Sequence, residues 1–467
     1  MISLFPVIDE TRHEPYYHQL YKYIRDEITA GRISSNEKLP SLRSLAASTG
    51  LSITTIEQAY SQLSVEGYID SRPQSGYFVN DVNYSSANMA LTEKTLFDSS
   101  TSIIDDSISS SSSSYYHDPD CFDFNKWKKC MNKIINEYPQ ALLFEGEPQG
   151  EIALRAEIAK YLHLSRGVSC SPDQILIGAG TQQITNHIAT MLRKLHVEHI
   201  AIETPGYKPI RSTFRDRGFA ITDVDVDDNG IIIEKLPANI KTATYVSPSN
   251  HVFTGAVMPI GRRYQLINWA VANDSYIIED DYDSELRYFG RPIPALKSLN
   301  DYDRVIYLGS FSSTLFAAVR ISYMVLPEHM AEMFKSMAPD YTQTCSKLEQ
   351  LSLAMFMETG NYQTHLKKLR KLYSNKLNTV IDYLRTNGSD FIEMKSSSSG
   401  INLLIRINTD KSPEEIEKDA TNHAIQVVPI HGRNLFLLYY NQIPLDKIPL
   451  ALGELLASWR QPSSEQS

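Results

Sequence analysis

The run Gln174-Ile175-Leu176-Ile177-Gly178-Ala179-Gly180-Thr181-Gln182 changes character twice within a few residues. A short apolar, β-branched stretch reads as a buried strand, two glycines interrupt it, and polar Thr181 and Gln182 open a helical pattern. Three further apolar runs repeat the first part: His199-Ile200-Ala201-Ile202, Tyr276-Ile277-Ile278 and Val305-Ile306-Tyr307-Leu308. Helical patterns such as Ile152 to Leu164 lie between such runs. Strands alternating with helices predict an α/β layer built on a mostly parallel sheet. Ligands in such layers bind beyond the carboxyl ends of the strands.

Three of those ends carry chemistry. Gly178 to Gln182 leads into a helix N-terminus, where backbone amides attract an anion such as phosphate. Glu279-Asp280-Asp281-Tyr282-Asp283 clusters carboxylates, which suits either a metal or one buried aspartate facing a cationic ring nitrogen. No histidine stands close by, so no metal site is expected. Gly309-Ser310-Phe311-Ser312-Ser313, with Arg320 downstream, offers hydroxyls and one guanidinium to a phosphate dianion. Each signal alone also fits a polar strand end with a surface arginine. Their recurrence at successive strand ends predicts a site for a phosphate-bearing cofactor.

The first eighty residues follow another plan. Leu20, Tyr23, Ile24 and Ile28 recur at helical spacing from Tyr16 to Ala30, with Gly31 as the stop. A second helix is expected after Ser41, burying Leu42, Leu45 and Ala46 and ending at Gly50. A third follows Ser52 and carries Ile53, Ile56, Ala59, Tyr60 and Leu63 before Gly67; Thr54 and Glu57 compete with Ser52 as its cap. Two strand-like runs, Tyr68 to Ser71 and Tyr77 to Val79, flank the turn Pro73-Gln74-Ser75-Gly76. Two short helices joined at a glycine and followed by a hairpin predict a winged helix-turn-helix, although any three-helix bundle shares the helical pattern. Its third helix would present Ser52, Thr54 and Thr55 to DNA, while Arg43, Arg72 and the Gly76 turn would meet the backbone or minor groove.

Between the two parts lies a serine-rich stretch with few aromatics, which has too little apolar surface to offset its ordering entropy. The expected organisation is a DNA-binding domain over 1–80, a flexible linker over 81–117 and an effector-binding domain over 118–467. Basic against acidic residues number 7 to 9, 1 to 5 and 37 to 41 in these segments, so the linker is the most acidic for its length. The net charge of -10 argues against a non-specific nucleic-acid coat but not against a small reading surface. At 467 residues and 42% hydrophobic, the chain is sized for two or three globular domains. It shows no ~20-residue apolar run and no signal sequence at its start, which points to the cytoplasm. Cys121, Cys130, Cys170 and Cys345 make no C-x-x-C pair, so free thiols are expected.

Lys38-Leu39-Pro40-Ser41-Leu42-Arg43-Ser44-Leu45-Ala46, with Glu66-Gly67-Tyr68 and Gly76-Tyr77-Phe78-Val79, resembles the GntR-type winged-helix regulators. That family usually has an arginine after the serine that opens the reading helix; here the residue is Ile53. Pro205-Gly206-Tyr207, Ser247-Pro248-Ser249, Glu279 to Glu285 and Arg320-Ile321-Ser322-Tyr323 extend the resemblance to the MocR/GabR regulators. These join a GntR-type domain to a fold type I aminotransferase-like domain that uses pyridoxal phosphate. The resemblance implies that Tyr207 stacks on the cofactor ring, Asp280 pairs with the ring nitrogen and Tyr282 approaches the ring hydroxyl. Gly180, Thr181, Gln182, Ser310, Ser312 and Arg320 would surround the phosphate, and Arg433 would take the carboxylate of an effector. It also implies a homodimer that reads double-stranded operator DNA in the cytoplasm.

One position departs sharply. The family's Schiff-base lysine falls at Ser313, and a hydroxyl can neither form an imine nor relay an α-proton well. Ala317-Ala318 replaces the family's Pro-Gly, Asn250-His251 its His-Gln, and Pro209 an arginine. The expectation is therefore a regulator with no catalytic residue, which senses pyridoxal phosphate non-covalently or as a preformed external aldimine with an amino acid. Loss of the cofactor in favour of another anionic ligand is one alternative. The other is an aminotransferase with an appended DNA-binding domain and an unusual base.

Overall fold

The computed structural model describes residues 14–73, 75–81, 121–288, 293–299, 303–396, 400–430 and 434–460. The chain divides into two compact units at residues 111/112. Apart from Asp81, the expected linker lies outside the described residues, as does Gln74 in the turn.

In the first unit, α1 (Tyr16–Thr29) buries Leu20, Tyr21, Ile24 and Ile28. Ser41 caps α2 (Leu42–Thr49) by accepting from the Ser44 amide, and Gly50 ends it at φ 75. Ser52 caps α3 (Ile53–Val65) by accepting from the Thr55 amide; an N-cap needs the extended backbone that Ser52 has and Thr54, inside the helix, lacks. Ile53, expected on the buried face, is 48% exposed. Side chains lean toward a helix's N-terminus, so one in the first turn overhangs the edge of this small core. The strand β1 (Ile69–Arg72) is shifted one residue from the run read in the sequence, β2 (Gly76–Val79) begins one residue before its run, and the two pair antiparallel, Ile69 against Val79. Lys38 adds a single bridge to Phe78 at the wing's edge. Tyr60 ties the core together by donating its hydroxyl to the Pro40 carbonyl at 3.0 Å.

The second unit is built on an eight-stranded sheet: β3 (Ile175–Gly178), β4 (His199–Thr204), β5 (Ala220–Asp227), β6 (Gly230–Ile231), β7 (Thr242–Val246), β8 (Tyr276–Asp280), β9 (Val305–Ser310) and β10 (Ser322–Val325). Their order is β3-β10-β9-β8-β7-β4-β5-β6. The centre is parallel, but β10 runs antiparallel to both β3 and β9, so the sheet is mixed rather than simply parallel. The connection from Ser310 to Ser322 is too short for a crossover helix, which forces β10 to return beside β9. Glu279 and Asp280, read as following a strand, are the last two residues of β8. Strands β3, β7, β8 and β10 are buried along their length except for Asp280, as expected of strands covered on both faces.

A second sheet escaped the sequence reading. Strands β11 (Ile392–Ser396), β12 (Asn402–Ile407), β13 (Val427–Ile430) and β14 (Leu435–Tyr439) form an antiparallel sheet in the order β11-β12-β14-β13. The helices Asn361–Asn387 and Ile448–Trp459 share its core, through Leu377, Leu384, Leu452 and Trp459 packed with Leu403, Ile405 and Leu438.

Candidate functional site

Strand register brings the expected site residues to one edge of the large sheet. Ser322 lies opposite both Gly178 and Ser310, Asp280 lies beside Leu308, and Val246 lies beside Glu279. The ends of β3, β7, β8 and β9 therefore open on the same side, together with Thr204 at the end of β4.

At one end of this edge the helix Thr181–Lys194 begins at Gly180, which has φ 99 and no side-chain cap. Its first-turn amides have no intrahelical acceptors, and the helix dipole adds positive potential there. Arg320 is packed on the same glycine, so closely that a Cβ at Gly180 would collide with the guanidinium. Arg320 is itself in the left-handed region, at φ 46 and ψ 32, and pairs with no carboxylate among the described residues. Two positive features converging without an acid between them form a site for an anion. Ser310 lies alongside: its hydroxyl accepts from the Ser322 hydroxyl at 3.0 Å and from the Ser312 amide at 3.3 Å. Thr181 and Gln182, in the first turn of that helix, and Ser310, Ser312 and Arg320 thus come together at one end of the strand edge.

The acidic centre is more elaborate. Half-buried Asp280 accepts a 2.5 Å hydrogen bond from Tyr245, and burial pushes its carboxyl up to about 6 despite that donor. Glu203, near the end of β4, accepts from the Ser247 amide at 2.9 Å through one oxygen, while its other oxygen has no partner among the described residues. Burial, reinforced by the nearby Asp280 charge, pushes Glu203 up to about 8. His251 reaches the Pro205 carbonyl at 3.1 Å and stands 3.7 Å from Glu203. Tyr207, at 39% exposure, precedes the helix Lys208–Asp216.

Neighbouring carboxylates divide sharply in role. Asp281 is fully engaged, with Arg166 at 2.7 Å, the Ser284 hydroxyl at 2.8 Å and the Tyr307 hydroxyl. Asp283, at φ 59 and 2% exposed, completes no well-formed hydrogen bond through either oxygen among the described residues. The hydroxyls of buried Ser313 and of Tyr282 are turned toward it and temper its rise, yet burial still pushes it up to about 7. Among the described residues no group of three or more histidine, cysteine or acidic side chains is arranged to hold a metal. Arg433 lies outside the described residues.

Sequence reasoning passed over Tyr245, Glu203 and Arg166, and named Asp283 only as one of a run of carboxylates. The tyrosine carried a readable signal, because a hydroxyl inside a buried strand must find a partner. Glu203 and Asp283 depend on which strand ends become neighbours, which periodicity does not encode.

On the winged unit, Ser52 and Thr55 spend their hydroxyls on each other at 2.8 Å as part of the cap, leaving Thr54 as the outward group of the first turn. Arg72 lies 4.3 Å from the Phe78 ring centre and donates to Asn36 at 3.2 Å; Lys38 flanks the same ring and packs beside Gly76. Arg43 projects into solvent from α2. Arg25 and Arg32 are neutralised by Asp26 and Glu27, whereas Lys38, Arg43 and Arg72 meet no carboxylate among the described residues. Among the described residues, the basic side chains of this unit without an acid partner thus sit on the wing and at the start of α2, where phosphate contacts would be made.

Comparison with known proteins agrees with this division. Residues 16–79 match the bacterial regulatory proteins of the gntR family, and residues 109–434 match aminotransferase class I and II. The uncharacterised HTH-type transcriptional regulator YdeL of Bacillus subtilis is 36% identical over 92% of each chain. The HTH-type pyridoxine biosynthesis transcriptional regulator PdxR of Corynebacterium glutamicum is 31% identical over 80% of each. Among solved structures, the kynurenine aminotransferase of Pyrococcus horikoshii superimposes with a TM-score of 0.65 at 21% identity, covering 78% of this chain and 95% of its own. The second unit thus has the fold of the aminotransferases. No helix among the described residues is long and apolar enough to cross a membrane.

Proposed function

The chain belongs to the HTH-type transcriptional regulators that join a gntR-family domain to a class I and II aminotransferase domain, and from that premise we propose that it reads out pyridoxal phosphate held without a covalent link. The observation that carries the reading is Arg320, poised on Gly180 at a helix N-terminus with no acid to neutralise it. The residues present suit the cofactor. Arg320, Gly180, Thr181, Gln182, Ser310 and Ser312 would hold its phosphate. Asp280, oriented by Tyr245, would accept from the protonated ring nitrogen, and that cation would draw the raised carboxyl back into its ionised form. Tyr207 would cover the ring and Tyr282 would approach its hydroxyl. Bound there, the cofactor supplies an aldehyde that condenses reversibly with amines.

On this reading Ser313 stands where an aminotransferase has its lysine, so the protein detects the cofactor, or its adduct with an amino acid, rather than turning substrate over. Arg433 would answer an effector carboxylate. The chain would act as a homodimer whose paired winged units meet spaced half-sites on operator DNA. A ligand alters DNA binding only by binding one arrangement of the regulator more tightly than another.

Calorimetric titration with pyridoxal phosphate, alone and premixed with amino acids, tests the reading without requiring a covalent bond. Saturable binding that one amino acid tightens is expected; no heat under any mixture overturns it. Ser313→Lys should yield a borohydride-trappable adduct. Deleting residues 1–80 should abolish operator binding. Multiple-turnover amino transfer by the unmodified chain would instead support an enzyme with an unusual base.

A further inference from the structure

Asp283 is the buried group that the proposed function leaves unused. Its side chain is 2% exposed and the Ser313 and Tyr282 hydroxyls face it, yet among the described residues neither oxygen completes a well-formed hydrogen bond and no cation reaches it. A buried carboxylate normally has a cation or several donors, because its desolvation is otherwise uncompensated. Asp281, two residues away, shows the ordinary solution, with Arg166 and two hydroxyls around it. Arg166 and Arg287 line a small cleft with Asp283, yet neither reaches its oxygens. The acids around it deepen the deficit: Glu285 and Asp280 both add negative potential at Asp283, while the neighbouring tyrosines Tyr288 and Tyr440 bring no positive charge. Among the described residues, the place beside Ser313 is therefore short of one positive charge.

We propose that Asp283 receives an ammonium brought by the ligand, so that this site takes the aminomethyl form of the cofactor, pyridoxamine phosphate, in preference to the aldehyde form. The inference rests on the reading that Ser313 stands where the lysine would meet the reactive carbon of the cofactor. With serine there, position 313 offers no amine either to capture an aldehyde or to face Asp283. A ligand that carries its own ammonium at that carbon would satisfy the carboxylate. The aldehyde offers Asp283 only a neutral acceptor, which repels an ionised carboxylate. The raised carboxyl of Asp283 also means that ammonium binding at pH 7 to 8 displaces a proton from part of the population.

The test is isothermal titration of the full chain with pyridoxamine phosphate and, separately, pyridoxal phosphate. The aminomethyl form should bind at least about tenfold more tightly, with a heat that varies with the ionisation enthalpy of the buffer. In Asp283→Asn the two affinities should converge to within about threefold, through weaker binding of the aminomethyl form. Ser313→Lys supplies the missing ammonium from the chain itself and should reverse the preference, a check that does not depend on the stability of the asparagine variant. If both forms bind and the aldehyde equals or exceeds the amine, or if Asp283→Asn keeps the preference, the inference is overturned while the cofactor reading stands. If neither form binds at millimolar concentration, the cofactor reading fails and this inference falls with it.

Discussion

Replacing Arg320 by glycine should make the protein more stable and its ligand site worse. The backbone at 320 is at φ 46, a region that costs a side-chain-bearing residue about 1–2 kcal/mol and glycine almost nothing. Glycine gives back about 0.5–1 kcal/mol through the greater freedom of the unfolded chain. Removing a positive charge from a helix N-terminus recovers about 0.3–1 kcal/mol. Arg320 is exposed and pairs with no acid among the described residues, so little is lost in return. The net expectation is a gain of about 1 kcal/mol, seen as a rise of about 2 °C in the melting transition of the large unit. Affinity should move the other way. Charge-assisted hydrogen bonds to a phosphate contribute about 1.5–3 kcal/mol, so Arg320→Gly should weaken pyridoxal phosphate binding by about 10- to 150-fold. Scanning calorimetry of the ligand-free variant and titration calorimetry with the cofactor read the two effects separately. A variant that melts lower, or that binds the cofactor unchanged, would refute the claim that this arginine is held in strain for an anion.

The remaining expectations concern burial and caps. Glu203 has a folded-state carboxyl at about 8 against an ordinary 4.5, so its ionisation penalises the folded state increasingly as pH rises between those values. Glu203→Gln should remove a fall in stability on the order of a few kcal/mol over that window, seen as convergent melts at pH 5 and pH 8; parallel profiles for the two proteins would contradict it. Asp281→Ala strips Arg166 of its buried counter-charge and two hydroxyls of their acceptor, and should lower stability by about 3–5 kcal/mol in urea titration. Ser52→Ala removes the cap of α3 and should cost the winged unit about 1 kcal/mol, whereas exposed Thr54→Ala should leave its melt unchanged and weaken operator binding.

What the sequence disclosed follows from how locally each feature is determined. The cap at Ser41, the left-handed stops at Gly31, Gly50 and Gly67, and the apolar strand runs depend on near neighbours, and they form where the residue pattern puts them. The grouping proposed for the phosphate was legible for the same reason: glycine, hydroxyl and arginine sit at strand and helix ends that the pattern itself marks. The antiparallel direction of β10 was not, because it depends on a connection without a crossover helix. Ile53 misled because periodicity assigns a face but not where the core beneath that face ends. The contrast between Asp281 and Asp283 was invisible, since two aspartates in one run differ only in what distant residues, Arg166 and Tyr307 among them, bring to them.

The distribution of unsatisfied charge carries the chemical argument further than the motifs do. Across both units most arginines and lysines near an acid are paired with it, and a buried acid such as Asp281 has its own cation. At the shared strand edge this economy fails twice and with opposite sign: Arg320 is left positive at the Gly180 end, while Asp280 and Asp283 are left acidic at the other. Each departure destabilises the ligand-free fold, and each is relieved by a molecule with a phosphate at one end and a protonated nitrogen at the other. A purely anionic ligand would satisfy Arg320 and aggravate Asp283; a simple amine would do the reverse. The pair of defects therefore selects for a compound that unites the two charges at a fixed separation, and its binding free energy includes the repair of both. On the proposed reading, a ligand that carries only one of the two charges would leave one of those costs standing.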